Sequence, residues 1–585
     1  MKPILFAGAL AAALTFASAA FAQSASEALT RLFADERAFS FQENPVSATR
    51  QGVRDYDDRL GSVTPADQRR RTEANRAFLT RLEAIDRTAL STHEQISYDL
   101  FGTMVEERVR MARYNEWRLP INSDSGFYSG ILQLHESHAP RTVRDYETYI
   151  ARLNDVPRYF NENIANMRQG VRDGWTLPRE IMTGVAGVVE GLRFARAEDL
   201  PLWRPFANYP ASVPESERAR LTAAGRAALE QSVIPAFDNY RAFFANEYAP
   251  RARSSIAASA LPNGRAYYAE LVRDFTTLPD ATPQQIHAIG LREVARIRAE
   301  MDAIIAEVGF EGSFEDFTTF LRTDPQFYAT TPDQLLREAA WITREIDAQM
   351  PNYFGRIPRT PYTVRPVPAH LAPNYTTGRY SSGGMGQAGQ YWVNTYALEV
   401  RPLYVLPSLT AHEAAPGHHT QIALARELEN VPEFRRTFGA TAFSEGWGLY
   451  SERLAVEMGI YHTPYQRFGR LTYEMWRACR LVVDTGMHSM GWSRQRALDY
   501  LTANTSLTSH EIRTEIDRYI AWPGQALAYK VGELKIIELR QRAEAALGER
   551  FDIRAFHDAV LENGAVTLPI LEQRIDAYIA AAQAR

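Results

Sequence analysis

The chain has 585 residues, 45% of them hydrophobic and 23% charged, with a net charge of −5 and a pI of about 6.2. That is globular composition with enough apolar material for a large core, and its charge singles out neither nucleic acid nor an anionic membrane as a partner. The single cysteine, Cys479, excludes an internal disulfide and a cysteine metal cluster, so any metal must be held by histidines and carboxylates.

The N-terminus sets Lys2 before an apolar run over about residues 4–17. Ala20-Phe21-Ala22 then precedes Gln23. This pattern predicts a secretory signal peptide over residues 1–22. No cysteine stands at the cleavage site, which argues against a lipid anchor. No later stretch approaches the roughly 20 apolar residues that span a bilayer. The expectation is an exported protein without stable membrane insertion, most simply periplasmic.

Residues 23–280 form a first helical region. SEALTRLFADERAFSF, DQRRRTEANRAFLTRLEAI and TVRDYETYIARLNDVPRYFNENIANMRQGV space their apolar residues three and four apart, with charges between. A second region, residues 281–585, opens on another helix, with Thr282 as N-cap, Pro283 at its first position and Gly309 as C-cap. From Pro351 to Thr395 the chain is rich in Pro and Gly. Pro-Tyr-Thr-Val-Arg and Gln-Tyr-Trp-Val-Asn read as short strands of a small β element at about 360–396, with a glycine-rich loop between. Helical texture then resumes to the end. The fold expected is mostly α. Lysine occurs only at Lys2, Lys530 and Lys535, so arginine carries nearly all the positive charge.

His-Glu occurs four times, at His93, His135, His412 and His510, so the pair alone means little. His135 and His138 are three apart, but read better as a helix-end or surface pair before Ala139-Pro140. The segment AHEAAPGHHT differs, because His412, Glu413, His418 and His419 fall within eight residues. A zinc helix of the form H-E-x-x-H sets two imidazoles one turn apart. Here the fifth residue is Pro416. In a regular helix His418 would lie about 120° around from His412, and His419 about 10 Å along the axis. Neither pair could chelate from an unbroken helix. Pro416 cannot donate to the carbonyl four back, which is that of His412. Pro416-Gly417 therefore permits a break that folds His418 back beside His412. A third ligand must come from another element. Glu445 in AFSEGWGLYSERL is the best candidate, since its apolar neighbours make an unpaired surface carboxylate a poor reading. Glu452, two turns on along the same face, is the alternative.

HEAAPGHHTQ and SEGWGLYSE together resemble the bacterial DUF885 family. RACRLVVDTGMHSMGWSRQRALDYL, WPGQALAYKVGELKIIELR and the upstream SGFYSGILQLHESHAPRTVRDYETYIARL extend the resemblance over most of the mature chain. These are largely helical proteins grouped with the glutamate-zincin metallopeptidases. The resemblance implies a large two-lobed zincin-like helical fold enclosing a cleft, with a small β element before the metal-binding helix. It implies a zinc-dependent, peptidase-like hydrolase with one Zn²⁺, held by His412, His418 and Glu445. The Gly417-His418 step resembles the G-H that closes related motifs, which favours His418 over His419 as the ligand. His419 then supports the site or faces substrate.

Three protein ligands leave one position on the metal for water, and Glu413 is the natural general base. His488 and Tyr529 are candidates to stabilise the oxyanion, with Tyr519 a weaker one. Arg480 either pairs with Asp484, four residues on, or binds a substrate carboxylate. Asn394 ends a stretch, Tyr391-Trp392-Val393-Asn394, expected as an edge strand that takes peptide backbone by strand addition. Ser382-Gly383-Gly384-Met385-Gly386 is expected as a flap. The substrate implied is a peptide or small amide. Two other readings are a non-catalytic periplasmic ligand-binding protein and a hydrolase of non-peptide amides or esters.

Overall fold

The structure, a computed structural model, describes residues 5–369, 372, 375–383 and 387–584, with side chains from residue 23 onward. The first four residues of the expected signal peptide, the side chains of its remainder, and Gly384-Met385-Gly386 of the expected flap lie outside the described residues. The described residues form helices with one small sheet. Among them, no helix is long and apolar enough to cross a membrane.

The chain divides into two compact units, residues 1–264 with 520–522, and residues 265–519 with 523–585. The first is all helical. Its helices begin where the sequence supplies caps: Ser91 and Glu94 close a reciprocal capping box at the start of Thr92–Ala112, and Thr142 and Asp145 do so at Val143–Asn154. Tyr149, Phe160, Phe237 and Tyr240 fill its core. His138 is buried there, 3.0 Å from Arg152 Nη1. His135 turns instead to Arg204, at 3.2 Å, so the two histidines do not share a ligand.

The second unit carries the AHEAAPGHHT segment. Its first helix, α1 (Pro283–Glu307), starts with the expected Thr282 cap and Pro283, and Gly309 follows its end at φ 66°. Next come α2 (Pro332–Tyr353) and a sheet of β1 (Tyr362–Pro366), β2 (Gly378–Ser381) and β3 (Gly389–Val393). The strand order is β1-β3-β2, with β1 parallel and β2 antiparallel to β3. Two of the strands match the sequence pattern; β2, Gly-Arg-Tyr-Ser, is too short and too poor in apolar residues to show a period of two. The stretch at 391–394 is thus the central strand, not an edge, and cannot add a peptide strand. Six helices follow that matter here: α3 (Leu406–Glu413), α4 (His418–Arg426), α5 (Thr441–Glu457), α6 (Pro464–Ser489), α7 (Ser509–Ala521) and α8 (Ala528–Leu547).

α5 and α8 meet backbone to backbone where Gly446 faces Gly532. A Cβ on Gly446 would stand 2.4 Å from the backbone of Gly532, and one on Gly532 would stand 1.8 Å from the carbonyl oxygen of Ala442. α8 is also tied to α1 and α6 by charge. Lys530 Nζ is fully buried and lies 2.7 Å from Glu474, 2.6 Å from Glu533 and 3.1 Å from Glu293. Arg296 and Arg470 complete the cluster by binding Glu474. Each carboxylate thus has a cation, which is what keeps such a buried group tolerable.

Gly532→Ala is expected to destabilise the protein by about 3 kcal/mol or more, the cost of overpacking against rigid backbone. Gly439→Ala, where nothing lies within 4 Å of an added Cβ, should stay within about 0.5 kcal/mol. Chemical unfolding of both variants measures the contrast.

Candidate metal centre

α3 stops at Glu413 and α4 starts at His418. Between them Ala414 (ψ −137°) and Gly417 (ψ −128°) leave helical geometry, and the Ala415–Pro416 bond is cis. Pro416 offers no N–H to the His412 carbonyl, and Gly417 packs directly over that carbonyl: a Cβ on Gly417 would lie 1.9 Å from its oxygen. The freed backbone is held from α5, where the Trp447 indole N–H donates to the Pro416 carbonyl at 2.8 Å. The chain reverses tightly, and the His412 and His418 rings meet at 4.7 Å between centroids, at an interplanar angle of 89°.

Glu445 of α5 completes the group. Its Oε2 lies 3.5 Å from His412 Nε2 and 3.5 Å from His418 Nε2. One atom from each of the three residues falls within 4.8 Å of the others. Zinc bonds of about 2.0–2.1 Å in tetrahedral geometry set neighbouring donor atoms roughly 3.4 Å apart. The two imidazole–carboxylate separations match that spacing, and two imidazoles with a carboxylate are a donor set that suits such an ion.

Glu452, the alternative ligand in the sequence, does something else. Its Oε1 lies 2.8 Å from His412 Nδ1. With Nδ1–H donated to Glu452, Nε2 faces Glu445 and donates to it while the ring is protonated; a metal ion would take that proton's place, the arrangement that orients metal-binding histidines. Glu445 and Glu452 are two turns apart on one face of α5, and the His412 ring lies lengthwise between them. The space comes from Gly448, since a Cβ there would stand 2.6 Å from the imidazole. Arg477 of α6 stands 3.8 Å behind Glu452. Burial alone would lower the His412 pKa; the hydrogen bonds to Glu445 and Glu452 outweigh it and push it up to about 9. Burial likewise opposes ionisation of Glu445, and the two imidazoles hold it well below the ordinary carboxylate range. The site is built to attract positive charge to one point.

Glu413, next to His412, is buried, and its Oε2 accepts the backbone N–H of Tyr380 in β2 at 2.7 Å. Tyr529, in the first turn of α8, is half-buried. Burial raises its pKa, and the Glu445 carboxylate adds to that. The structure therefore gathers His412, His418 and Glu445, with Glu413 the chain neighbour of the first.

The other expected residues go elsewhere. His419 points to the sheet, with Nδ1 3.1 Å from the Tyr380 hydroxyl and its ring 4.4 Å from that of Tyr362; burial lowers its pKa to about 4. It is one residue, about 100°, around the helix from His418, and it braces the β element. Asn394 is fully buried, and its amide donates to the carbonyls of Ala372, Tyr375 and Thr376. It clamps a loop rather than a substrate. His488 is buried, 3.0 Å from the Tyr519 carbonyl oxygen and beside the Tyr268 ring. It lies eleven residues beyond Arg477, about 16 Å along α6, and does not join the trio. Arg480 does not pair with Asp484. It binds the Tyr519 hydroxyl at 2.8 Å and Glu515 at 3.1 Å, and its guanidinium lies 4.4 Å from the Tyr529 ring centre. Asp484 instead accepts from Tyr268 at 2.6 Å and from the Gly524 amide.

A mostly helical chain that breaks one helix to set two histidines against a glutamate belongs to a recognisable class. The chain is a member of the DUF885 family, bacterial proteins of unknown function, whose model matches residues 45–575. A crystal structure of "the putative lipoprotein from Colwellia psychrerythraea" is 28% identical, covers 95% of this chain and all of that one, and has a TM-score of 0.88. "A putative lipoprotein of unknown function from Shewanella oneidensis" is 18% identical over 93% of this chain and 99% of that one, with a TM-score of 0.73, and shares the fold. No curated protein matches the chain.

Burial pushes the Asp484 carboxyl up to about 7, against about 3.9 for an unfolded chain. A carboxyl raised on folding adds stability that is complete below the unfolded value and is lost as pH rises through the folded one. The wild type should therefore lose stability between about pH 4 and pH 7 relative to Asp484→Asn. Urea titrations of both proteins across that window check the sign.

Proposed function

We propose that this protein is an exported zinc-dependent hydrolase, a metallopeptidase of zincin type that cleaves peptide or peptide-like amide bonds in the periplasm. One observation carries the reading: His412, His418 and Glu445 converge at zinc-ligand spacing, with Glu413 the next residue after the first of them. Export accords with the signal-peptide pattern and with the lipoprotein description of the Colwellia relative.

An ion held by the trio would polarise the scissile carbonyl and acidify a water beside it. The chain's own groups perform the proton transfers. Glu413, oriented by the Tyr380 N–H, takes a proton from the attacking water as its oxygen bonds to the carbonyl carbon. As the carbon–nitrogen bond breaks, Glu413 returns that proton to the leaving nitrogen, so that water is added across the amide. The Tyr529 hydroxyl, whose raised pKa keeps it protonated at neutral pH, donates to the oxygen that gains negative charge. Glu452 holds the His412 ring in place throughout.

Metal analysis of protein purified without chelators should find one zinc per chain, and Glu413→Gln should retain it while losing on the order of 10²–10⁴ in rate on peptide substrates. A protein free of stoichiometric zinc, or a fully active Glu413→Gln, overturns the proposal. Glu452→Gln is expected to weaken zinc binding by about 10- to 100-fold, read by competition with a chromogenic chelator.

A further inference from the structure

One turn along α6 from Arg477 lies a partly buried group with two guanidiniums to one carboxylate. Arg480 is 3% exposed. Its guanidinium faces are covered by Trp476 and Tyr529, with ring centres 4.3 and 4.4 Å from Cζ. One edge is occupied, Nε by the Tyr519 hydroxyl and Nη2 by Glu515. Nη1 is buried and has no hydrogen-bond partner. Glu515 must also serve Arg518, at 3.1 Å, and the Tyr519 hydroxyl, at 2.5 Å. Arg518 spends its other nitrogen on the neutral Gln525, at 2.8 Å. Two guanidiniums therefore share one carboxylate. Asp484, the further acid acting on Arg518, is raised toward neutrality and bound to Tyr268 and Gly524.

A buried N–H without an acceptor is costly, and a guanidinium is the side chain best shaped to receive a carboxylate edge-on. With two aromatic rings against the guanidinium and one edge used, Nη1 is the donor left to receive an acceptor. The helix α6 links Arg480 to the reaction site, because Arg477, three residues before it, stands 3.8 Å from Glu452, the partner of His412. Three residues are about 4.5 Å of helix, comparable to one or two extended residues at about 3.3–3.6 Å each.

We infer that Arg480, backed by Arg518, receives the free terminal carboxylate of the substrate, so that cleavage falls within one or two residues of a peptide's C-terminus. The inference rests on the hydrolase reading for the cleavage and on the charge imbalance alone for the binding. An acidic side chain offers the same carboxylate from another source, and the test separates the two.

The mature, full-length protein as purified is given acetyl-Ala-Ala-Ala, its C-terminal amide, and acetyl-Ala-Glu-Ala-amide. The free acid should be cleaved with kcat/KM about 10- to 100-fold above either amide, the worth of one charge-assisted hydrogen bond. Arg480→Gln should collapse that ratio toward one, mainly through KM. In parallel, acetyl-Ala-Ala and its amide are compared by thermal shift, which needs no turnover. The acid alone should raise the Tm of the wild type, and Arg480→Gln should abolish the rise. Equal stabilisation by acid and amide, or an unchanged response in Arg480→Gln, overturns the carboxylate site whatever the activity. Equal preference for acetyl-Ala-Glu-Ala-amide and the free acid overturns the terminal assignment. If no peptide is cleaved but the acid-specific shift holds, the hydrolase reading falls and the carboxylate site stands. Should Arg480→Gln fail to fold by circular dichroism, Arg480→Lys replaces it. That variant keeps the charge without the planar fork and should lower the acid-to-amide ratio.

Discussion

The site depends on one imidazole lying along one helix. The His412 ring spans the face of α5 from Glu445 to Glu452, and it can do so only because residue 448 has no side chain. That placement fixes which nitrogen faces the trio, and it fixes where α3 must end. The helix break and the Trp447 tether bring His418 to the same carboxylate from the other side. Had residue 448 been alanine, the ring would lose its seat and the convergence with it.

Part of this could be read from the residues. Pro416 removes the hydrogen bond to the carbonyl of the first histidine, so a break between His412 and His418 follows from backbone chemistry. The mostly helical fold followed from periodicity, and α1 began and ended at the expected caps. The role of Glu452 did not follow. The spacing Glu445, Gly448, Glu452 marks a slot two turns long with a bare middle, but it becomes informative only once a ring is known to lie in it. Asn394 and His488 misled because a polar residue near a motif reads alike whether it faces substrate or satisfies buried carbonyls. Only burial and partners distinguish the two. The third strand escaped because Gly-Arg-Tyr-Ser owes its conformation to pairing with β3, not to its own pattern.

The near-absence of lysine also gains a structural meaning. Lys530 is one of three in the chain, and it stands at the centre of the buried cluster joining α1, α6 and α8. Three carboxylates approach it from different directions. An ammonium, compact and without a fixed plane, can meet them all, whereas a planar guanidinium favours paired, edge-on contacts. Arg480 shows the converse, a planar cation stacked on both faces with its donors confined to one plane.

The bare crossing of α5 and α8 has a consequence for how the protein works over time. Glu445 neighbours Gly446 on one helix, and Tyr529 and Lys530 precede Gly532 on the other. At Gly446 and Gly532 backbone rests on backbone, with no side chain there to rotate out of the way. Under the proposed hydrolase reading, the entropy of fixing Glu445 and the Tyr529 phenol on their helices is lost when the chain folds, not each time a substrate arrives. Selectivity in such an arrangement comes from what fits a fixed frame, and adaptation is left to the substrate.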